Sequence, residues 1–304
     1  MYKFKEIQIK TYINITGNED FNIADAVFYK KYIIQGNHKS DQKYIQNLVG
    51  NDIKMFVYFD HTSLQITNCT FYHFNNVYVN PAGGWTKGYN AIFPGSSTVP
   101  RFNTKNGPVS HKFNEVICIG NDWTNVFAHF VLDVLSLVEY VPVEIRKRSK
   151  FLLLSSSKVY HEMLIHFDIP MENIICPGQS FIFANNFYTV ISQQSIHGAL
   201  IGGLQNVAEK FRKDFQLDKI KSEYLGLYNR LESKSRHILE FPKFVEACKE
   251  RYNSTIPVKQ LGEYTNLTEG VKEYASLKIF LSPAGSSLTN MMYMRRNMGV
   301  VMVL

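Results

Sequence analysis

The stretch LKIFLSPAGSSLTNMMYM, residues 277–294, decides how the C-terminal part of the chain folds. The apolar run Ile279–Leu281 predicts a buried strand, and an apolar segment with helical character begins at Leu288. Between them, the small residues Gly285–Ser287 let a ligand approach the backbone, and the free N–H groups of a helix N-terminus suit a phosphate. Serine hydroxyls are also ordinary helix caps. The residues alone therefore leave an anion site and a capped loop both open.

Strand and helix patterns alternate on the N-terminal side of this stretch. Strands are predicted at 116–120, 151–154, 173–176, 180–183, 188–192, 224–228, 255–260 and 299–304. Helices are predicted at 125–141, 158–167, 203–214, 242–252 and 268–275. The polar segment 219–223 divides the pattern in two and is interpreted as a linker. Alternation at this spacing is typical of doubly wound parallel sheets.

The first 115 residues have a different pattern. They are rich in Asn, Tyr, Phe and Thr, with alternating strand patterns at 54–59 and 63–67 and a short helical pattern at 43–48. Repeated Gly and Pro predict a long irregular segment at 80–108. Trp85 and Tyr89 lie in this segment, where they could stack on a sugar or simply hold the loop against the protein.

A polar face on an apolar helix gives the first catalytic candidate. Asn125, His129 and Asp133 recur every four residues in the predicted helix at 125–141, so they should lie on one face. Burying a carboxylate beside an imidazole is costly unless both are paired, which indicates a polar cleft. Asp133 would orient or charge His129, and one of the two could take a proton from a hydroxyl. A core histidine satisfied by a neighbouring aspartate remains the alternative.

The segment from Leu227 to Ile238 gives a second candidate. It places a basic loop containing Arg230, Lys234 and Arg236 directly after a predicted strand. A guanidinium offers a planar fork of donors to phosphate oxygens, so the two arginines could hold a diphosphate with Lys234 in support. A solvated basic surface loop is the alternative.

Three stretches of the chain resemble glycosyltransferase family 61. Ser282–Asn290 is similar to the family's signature Gly-Pro-His-Gly-Ala-Gly-Leu-Thr-Asn, and the segments 125–137 and 224–238 match in the right order. The resemblance covers about residues 115 to 304. The chain departs from the family pattern in several places. Ala284 replaces the signature's histidine, Ser287 replaces a glycine, and Asn125 stands four residues before the histidine instead of three. The last strand also lacks the family's glutamate.

The resemblance implies a GT-B-like α/β fold, in which two Rossmann-like domains enclose a cleft. Residues 1–218 would form an acceptor-side domain with a β-rich start, and residues 219–304 a nucleotide-sugar-binding domain. Because the chain stops on a strand, we expect the second domain to be incomplete.

The implied reaction is inverting transfer of a sugar from a nucleoside diphosphate sugar, with UDP expected, to a hydroxyl on a glycan or protein. His129 and Asp133 would be catalytic, and no cofactor besides the donor is expected. The expected donor-binding residues are Arg230, Arg236, Gly285, Ser286, Ser287, Thr289 and Asn290. A catalytically silent member that binds glycan or nucleotide is the competing hypothesis.

Composition and absent motifs narrow the function classes. The 304 residues are 45% apolar and 19% charged, which is a globular composition, and the net charge of +7 favours anionic partners. Basic residues are scattered and the four cysteines lack Cys-x-x-Cys spacing, so nucleic-acid binding and a structural zinc site are not expected. The chain has no Asp-x-Asp, Gly-x-Gly-x-x-Gly, P-loop or Gly-x-Ser-x-Gly motif. These absences disfavour a dehydrogenase, kinase or serine hydrolase, and they leave the transferase that the resemblance implies without a candidate metal clamp.

The sequence leaves the compartment open. No signal-peptide core begins the chain, and no run of about 18 apolar residues occurs. The resemblance implies the lumen of the ER or Golgi, because relatives commonly work there behind a membrane anchor. Either such an anchor lies outside this sequence or this member works elsewhere.

Overall fold

Two β-sheets, one large and mixed and one small and parallel, organise the fold. The computed structural model describes residues 11–14, 27–34, 67–81, 83–86, 91–92, 106–120, 123–178, 180–192, 201–231 and 236–304. The predicted helix at 43–48, the predicted strand at 54–59 and Tyr89 lie outside these ranges. The two sheets and their helices confirm the predicted α/β class.

The large sheet combines antiparallel and parallel strands. Its central strands follow the order β3-β9-β6-β7-β8, in which β3 and β9 are antiparallel and the pairs from β9 to β8 are parallel. Its strands are Thr11–Asn14 (β1), Val27–Ile34 (β2), Thr67–Asn80 (β3), Gly83–Thr86 (β4), Ala91–Ile92 (β5), Asn106–Ile117 (β6), Lys150–Leu152 (β7), Ile174–Ile175 (β8) and Phe181–Ser192 (β9). The doubly wound parallel prediction therefore holds in this sheet only for β9, β6, β7 and β8.

The long strand β9 replaces two predicted strands. Asn185 and Asn186 interrupt the apolar pattern and were expected to lie between strands. Their amide groups instead bond to Asn114 on β6, at 3.3 Å to its Oδ1 and 3.2 Å to its carbonyl oxygen respectively. Side-chain hydrogen bonds across the sheet thus accommodate polar residues that alternation alone would exclude.

The segment 80–108 is less irregular than its glycines and prolines predicted. Gly83–Thr86 pairs antiparallel with the end of β3, and Ala91–Ile92 pairs with β4. Backbone pairing in a tight hairpin does not need alternating side chains, and glycine tolerates the turn. The prediction of an irregular segment is therefore wrong at 83–86, at 91–92 and from Asn106 onward.

The small sheet contains four strands that were predicted from their apolar runs. They are Tyr224–Leu227 (β10), Val258–Gln260 (β11), Leu277–Pro283 (β12) and Gly299–Val303 (β13), all parallel, in the order β11-β10-β12-β13. Leu225, Gly226 and Leu227 are all buried, as expected for a strand covered on both faces. Gly226 is needed in β10 because a Cβ there would lie 2.8 Å from the Leu277 side chain.

Helices connect and cover these strands close to where the sequence predicted them. They are Val143–Arg148 (α2), Lys158–Ile165 (α3), Ile201–Asp214 (α4), Phe241–Tyr252 (α5) and Leu267–Ala275 (α6). The Asn266 side chain caps α6 by accepting a hydrogen bond from the Glu269 backbone N–H at 2.9 Å. After β12, a 3-10 helix at Ser286–Tyr293 replaces the predicted Met-rich segment with helical character.

The helix that contains the predicted catalytic pair, α1, is continuous from 127 to 138 and has a π-helical centre. Phe127–His129 and Ser136–Val138 are α-helical, and Phe130–Leu135 is π-helical. The Ser136 hydroxyl donates to the Leu132 carbonyl, a contact that bends helices. Because α1 starts at Phe127, Asn125 precedes the helix and is exposed. The predicted three-residue polar face is therefore wrong for Asn125.

The two sheets share one hydrophobic core. It includes Phe71 and Tyr188 from the large sheet, Phe211 from α4, and Leu277 and Phe280 from the small sheet. The domain boundary between residues 218 and 219 stays a prediction. None of the helices in the described ranges has the length and apolar character needed to cross a membrane.

Candidate functional site

A cavity of about 350 Å³ lies between the two halves of the chain. This volume falls within the usual range for small-molecule sites. The segment 127–160 forms one wall, and the loops that follow β10, β11 and β12 form the other. The lining residues are Phe127, Ser157, Val159, Tyr160, Tyr228, Gly262, Glu263, Tyr264, Tyr274, Ser286, Ser287 and Asn290.

The cavity lies at the point where the strand order of the small sheet reverses. From β10 the chain crosses to β11 on one side, and then returns past β10 to β12 and β13 on the other. In open parallel sheets, ligands bind outside the carboxyl ends of the strands at such a switch point. Tyr228 directly follows β10, and Gly285 and Ser286 closely follow β12.

Arg230 and Gly285 lie against each other at this switch point. A Cβ built on Gly285 would lie 3.3 Å from the Arg230 Nη1 atom and 3.6 Å from its Cζ. The Nη1 atom is buried and has no hydrogen-bond partner among the described residues. A buried donor without a partner is costly, so this nitrogen is a candidate contact for an anion. Arg230 and the glycine loop, which were predicted to bind the same diphosphate, therefore lie side by side.

The loop after Gly285 turns directly into the 3-10 helix. The Leu288 N–H donates to the Gly285 carbonyl at 3.1 Å, which closes the first turn. Ser287 shares a 2.7 Å hydrogen bond with the buried hydroxyl of Ser282, whereas Thr289 is half-buried. Of the predicted donor-binding residues in this loop, Ser286, Ser287 and Asn290 line the cavity.

Four tyrosines form a layer at the cavity, which we call the tyrosine layer: the buried Tyr160, Tyr274 and Tyr293 and the half-buried Tyr264. The Tyr264 hydroxyl donates to Asn290 Oδ1 at 2.7 Å. Burial raises the pKa of Tyr160 to about 12 and raises the pKa values of the other three further. These phenols therefore remain neutral hydrogen-bonding groups near neutral pH.

The predicted catalytic pair is formed, but it does not line the cavity. His129 Nδ1 lies 2.9 Å from Asp133 Oδ2, and the two side chains are 14% and 8% exposed. The exposed Trp123 stacks on the His129 ring at a centroid distance of 5.9 Å. Residues two apart on a helix point in nearly opposite directions. Phe127 faces the cavity, so His129 faces away from it.

Arg236 differs from Arg230 in its exposure and backbone. It is exposed and has a left-handed backbone with φ of 59°. Two hydrogen bonds between Asn229 and Ile238, at 2.8 and 3.0 Å, close the loop on either side of it. Lys234 lies outside the described residues.

Comparison with known protein families decides the class of the chain. The family model for glycosyltransferase 61 matches residues 127–301, which is more than half of the sequence. The chain belongs to glycosyltransferase family 61. No curated protein matches it. The family assignment confirms the resemblance found in the sequence and supports glycosyltransferase activity in general.

The matched region of this family 61 chain contains the whole cavity lining. It begins at Phe127, the first residue of α1, and ends at Val301 in β13. Ala284, which stands where the family signature has histidine, donates its backbone N–H to the Val303 carbonyl at 2.9 Å. Its methyl group cannot supply the polar contact that a histidine would make.

Glu263 and Tyr264 are among the cavity residues of the family 61 chain that sequence reasoning missed. Both follow β11, which lies beside β10 in the sheet. Their position after the second strand of a parallel unit could have identified them, because that position lies next to the switch point. Among the described residues, no group of three or more His, Cys, Asp or Glu side chains is placed to hold a metal ion.

Proposed function

We propose that this chain is an inverting glycosyltransferase of the GT-B type that uses a nucleoside diphosphate sugar, with UDP as the nucleotide. The two sheets would belong to the two Rossmann-like halves, and the cavity lined by both would be the donor site. The acceptor would be a hydroxyl of a glycan or protein.

The observation behind this proposal is the buried Arg230 Nη1 atom against Gly285. It presents a cationic donor that has no partner among the described residues, at the switch point of a parallel sheet. A charged donor without a partner fits a diphosphate oxygen far better than a neutral ligand. Backbone N–H groups at the start of the 3-10 helix, beginning at Ser286, would add further donors.

In the proposed reaction, the acceptor oxygen attacks the anomeric carbon while the bond to the donor's β-phosphate oxygen breaks. The leaving diphosphate gains negative charge, which Arg230 stabilises because its guanidinium is already held in position. Arg236 is proposed as a second contact to the diphosphate. One base on the opposite side takes the acceptor proton, and no covalent intermediate is needed.

The proposed base is the pair His129 and Asp133. The Asp133 carboxylate accepts from Nδ1, so Nε2 is the nitrogen that would take the acceptor proton. Because the pair does not line the described cavity, the sugar of the donor would extend beyond it toward the Trp123 side of α1, and the acceptor would bind there between the sugar and His129.

Calorimetry with UDP, followed by assays of donor hydrolysis and transfer, tests this function. We expect wild-type protein to bind UDP and Arg230→Ala to weaken binding by at least about tenfold, since a hydrogen bond to a charged group is lost. Arg251→Ala is the matched control, because the exposed Arg251 guanidinium lies over the Tyr252 ring. Equal affinities for the wild type and Arg230→Ala would refute the proposed phosphate site.

A catalytically silent binding protein is the second candidate. Two observations favour it: Ala284 in place of the signature histidine, and a predicted base that does not line the cavity. This candidate expects UDP binding without hydrolysis or transfer from any UDP-sugar. Turnover that is lost in His129→Ala while UDP binding is retained would eliminate it.

A further inference from the structure

Glu263 is the acidic residue in the cavity lining. It is exposed and follows the carboxyl end of β11, between the exposed Gly262 and the half-buried Tyr264. Within the described ranges, the Glu263 side chain forms no hydrogen bond or ion pair. It is therefore a charged acceptor that faces the cavity and lacks a structural partner.

Glu263 and Arg230 lie near the same phenol but do not neutralise each other. Burial raises the pKa of Tyr228, the Glu263 carboxylate raises it further, and the Arg230 guanidinium lowers it. Both charges therefore lie close to the Tyr228 hydroxyl. Even so, the two side chains form no ion pair among the described contacts. Their separation leaves each available to a different part of one ligand.

A carboxylate in this position selects hydroxyl groups rather than phosphates. It can only accept hydrogen bonds, and it repels an anionic phosphate group. Its two oxygens can accept from the two neighbouring hydroxyls of a diol. In dinucleotide-binding sheets, an acidic residue after the first strand–helix unit binds the ribose, while the phosphates lie at the switch point. Here Glu263 follows β11, the next strand in sequence after β10, and Arg230 lies at the switch point.

We propose that Glu263 accepts hydrogen bonds from the 2′ and 3′ hydroxyls of the donor's ribose. This inference rests on the proposed nucleotide-sugar function. It assigns Glu263 to recognition of the donor, and it makes the enzyme selective for ribonucleotides. Glu263 is then a binding residue and not the base for the acceptor.

Calorimetry with UDP and 2′,3′-dideoxy-UDP tests this assignment in the full chain. The wild type should bind UDP roughly 10- to 150-fold more tightly than the dideoxy analogue, as expected for hydrogen bonds to a charged group. Glu263→Ala should lose about the same factor for UDP and change the affinity for the analogue less than about twofold. Glu263→Gln should lie between, because the amide retains one acceptor oxygen.

The control is Glu250→Ala, which removes an exposed carboxylate from α5 and should bind both ligands as the wild type does. Thermal melting checks that each variant is folded. Equal losses for UDP and the analogue in Glu263→Ala would overturn the ribose assignment, as would lost transfer with unchanged UDP affinity. A wild type that binds neither ligand would overturn the proposed function itself.

Discussion

Replacing Gly285 with alanine tests whether close contact with Arg230 forms the phosphate site. The Gly285 backbone has φ of 159° and ψ of −171°, a conformation that residues with a side chain rarely adopt, so alanine there also adds backbone strain. The new methyl carbon would lie 3.3 Å from Arg230 Nη1 and 3.8 Å from its Cδ. The first distance is shorter than ordinary van der Waals contact, so the guanidinium must withdraw by a few tenths of an ångström.

The expected cost follows from the hydrogen bond that this displacement weakens. A hydrogen bond to a charged group contributes about 1.5–3 kcal/mol, and a shift of the donor combined with a methyl group beside the anion removes most of it. The affinity for UDP should therefore fall roughly 10- to 150-fold. Folding should be retained, because the side chain of residue 285 would lie at the half-buried loop and not in the core.

Isothermal titration calorimetry with UDP measures the effect, and Gly262→Ala is the matched control. Gly262 also lines the cavity, but a Cβ there would meet nothing within 4 Å, so the affinity should stay within about twofold. In an Arg230→Ala background, Gly285→Ala should add little further loss, because the two changes remove the same contact. Unchanged UDP affinity in Gly285→Ala, or full additivity with Arg230→Ala, would refute the reasoning.

Three further predictions concern the helices and the tyrosine layer. Gly203→Ala should lower the free energy of unfolding in urea by about 1–3 kcal/mol, because its Cβ would lie 2.3 Å from the Ser136 carbonyl oxygen; unchanged stability would contradict this packing. His129→Ala should reduce transfer about 10²- to 10⁴-fold with UDP affinity unchanged. The control His166→Ala breaks a similar 2.9 Å contact with Asp214 and should leave transfer intact. Equal effects of the two substitutions would argue against a base at His129. The tyrosines of the tyrosine layer have higher pKa values in the folded than in the unfolded protein. Their contribution to the free energy of unfolding is therefore complete below about pH 10, the pKa of an unfolded tyrosine, and is lost as the pH rises above it. Urea unfolding between pH 9 and 11 should show a fall of up to about 1.4 kcal/mol per pH unit for each tyrosine, and a constant value would exclude this linkage.

The small sheet was predictable because short apolar runs mark its strands. Runs such as Tyr224–Leu227 and Ile279–Leu281 are short and continuously apolar, and glycine, proline and polar segments separate them from helical patterns. The large sheet was predicted less well. Its strand β9 contains two asparagines that bond across the sheet, and β4 contains two glycines in a hairpin. Side-chain patterns do not encode such backbone and cross-strand pairing.

Part of the candidate site was predictable from residue chemistry. The Arg230 loop and the Gly285 loop were identified from residue chemistry, and the parallel sheet brings them together. Residues in the cavity wall after β11 required the strand order, which sequence periodicity does not give. The direction of His129 depended on where α1 begins. A start at Phe127 instead of Asn125, and a π-helical centre, change which side chains share a face.

The order of the strands gives a reason why one nucleotide should satisfy both unpartnered charges. Glu263 follows β11 and Gly285 follows β12, with β10 between them, so the two positions are two strand spacings apart, about 10 Å. A free phosphate can reach Arg230 without reaching Glu263, and a free sugar can do the reverse. A ribose joined through its 5′ carbon to a diphosphate spans both positions. The proposed donor would therefore contact both Arg230 and Glu263, whereas a phosphate or a sugar alone would contact only one of them.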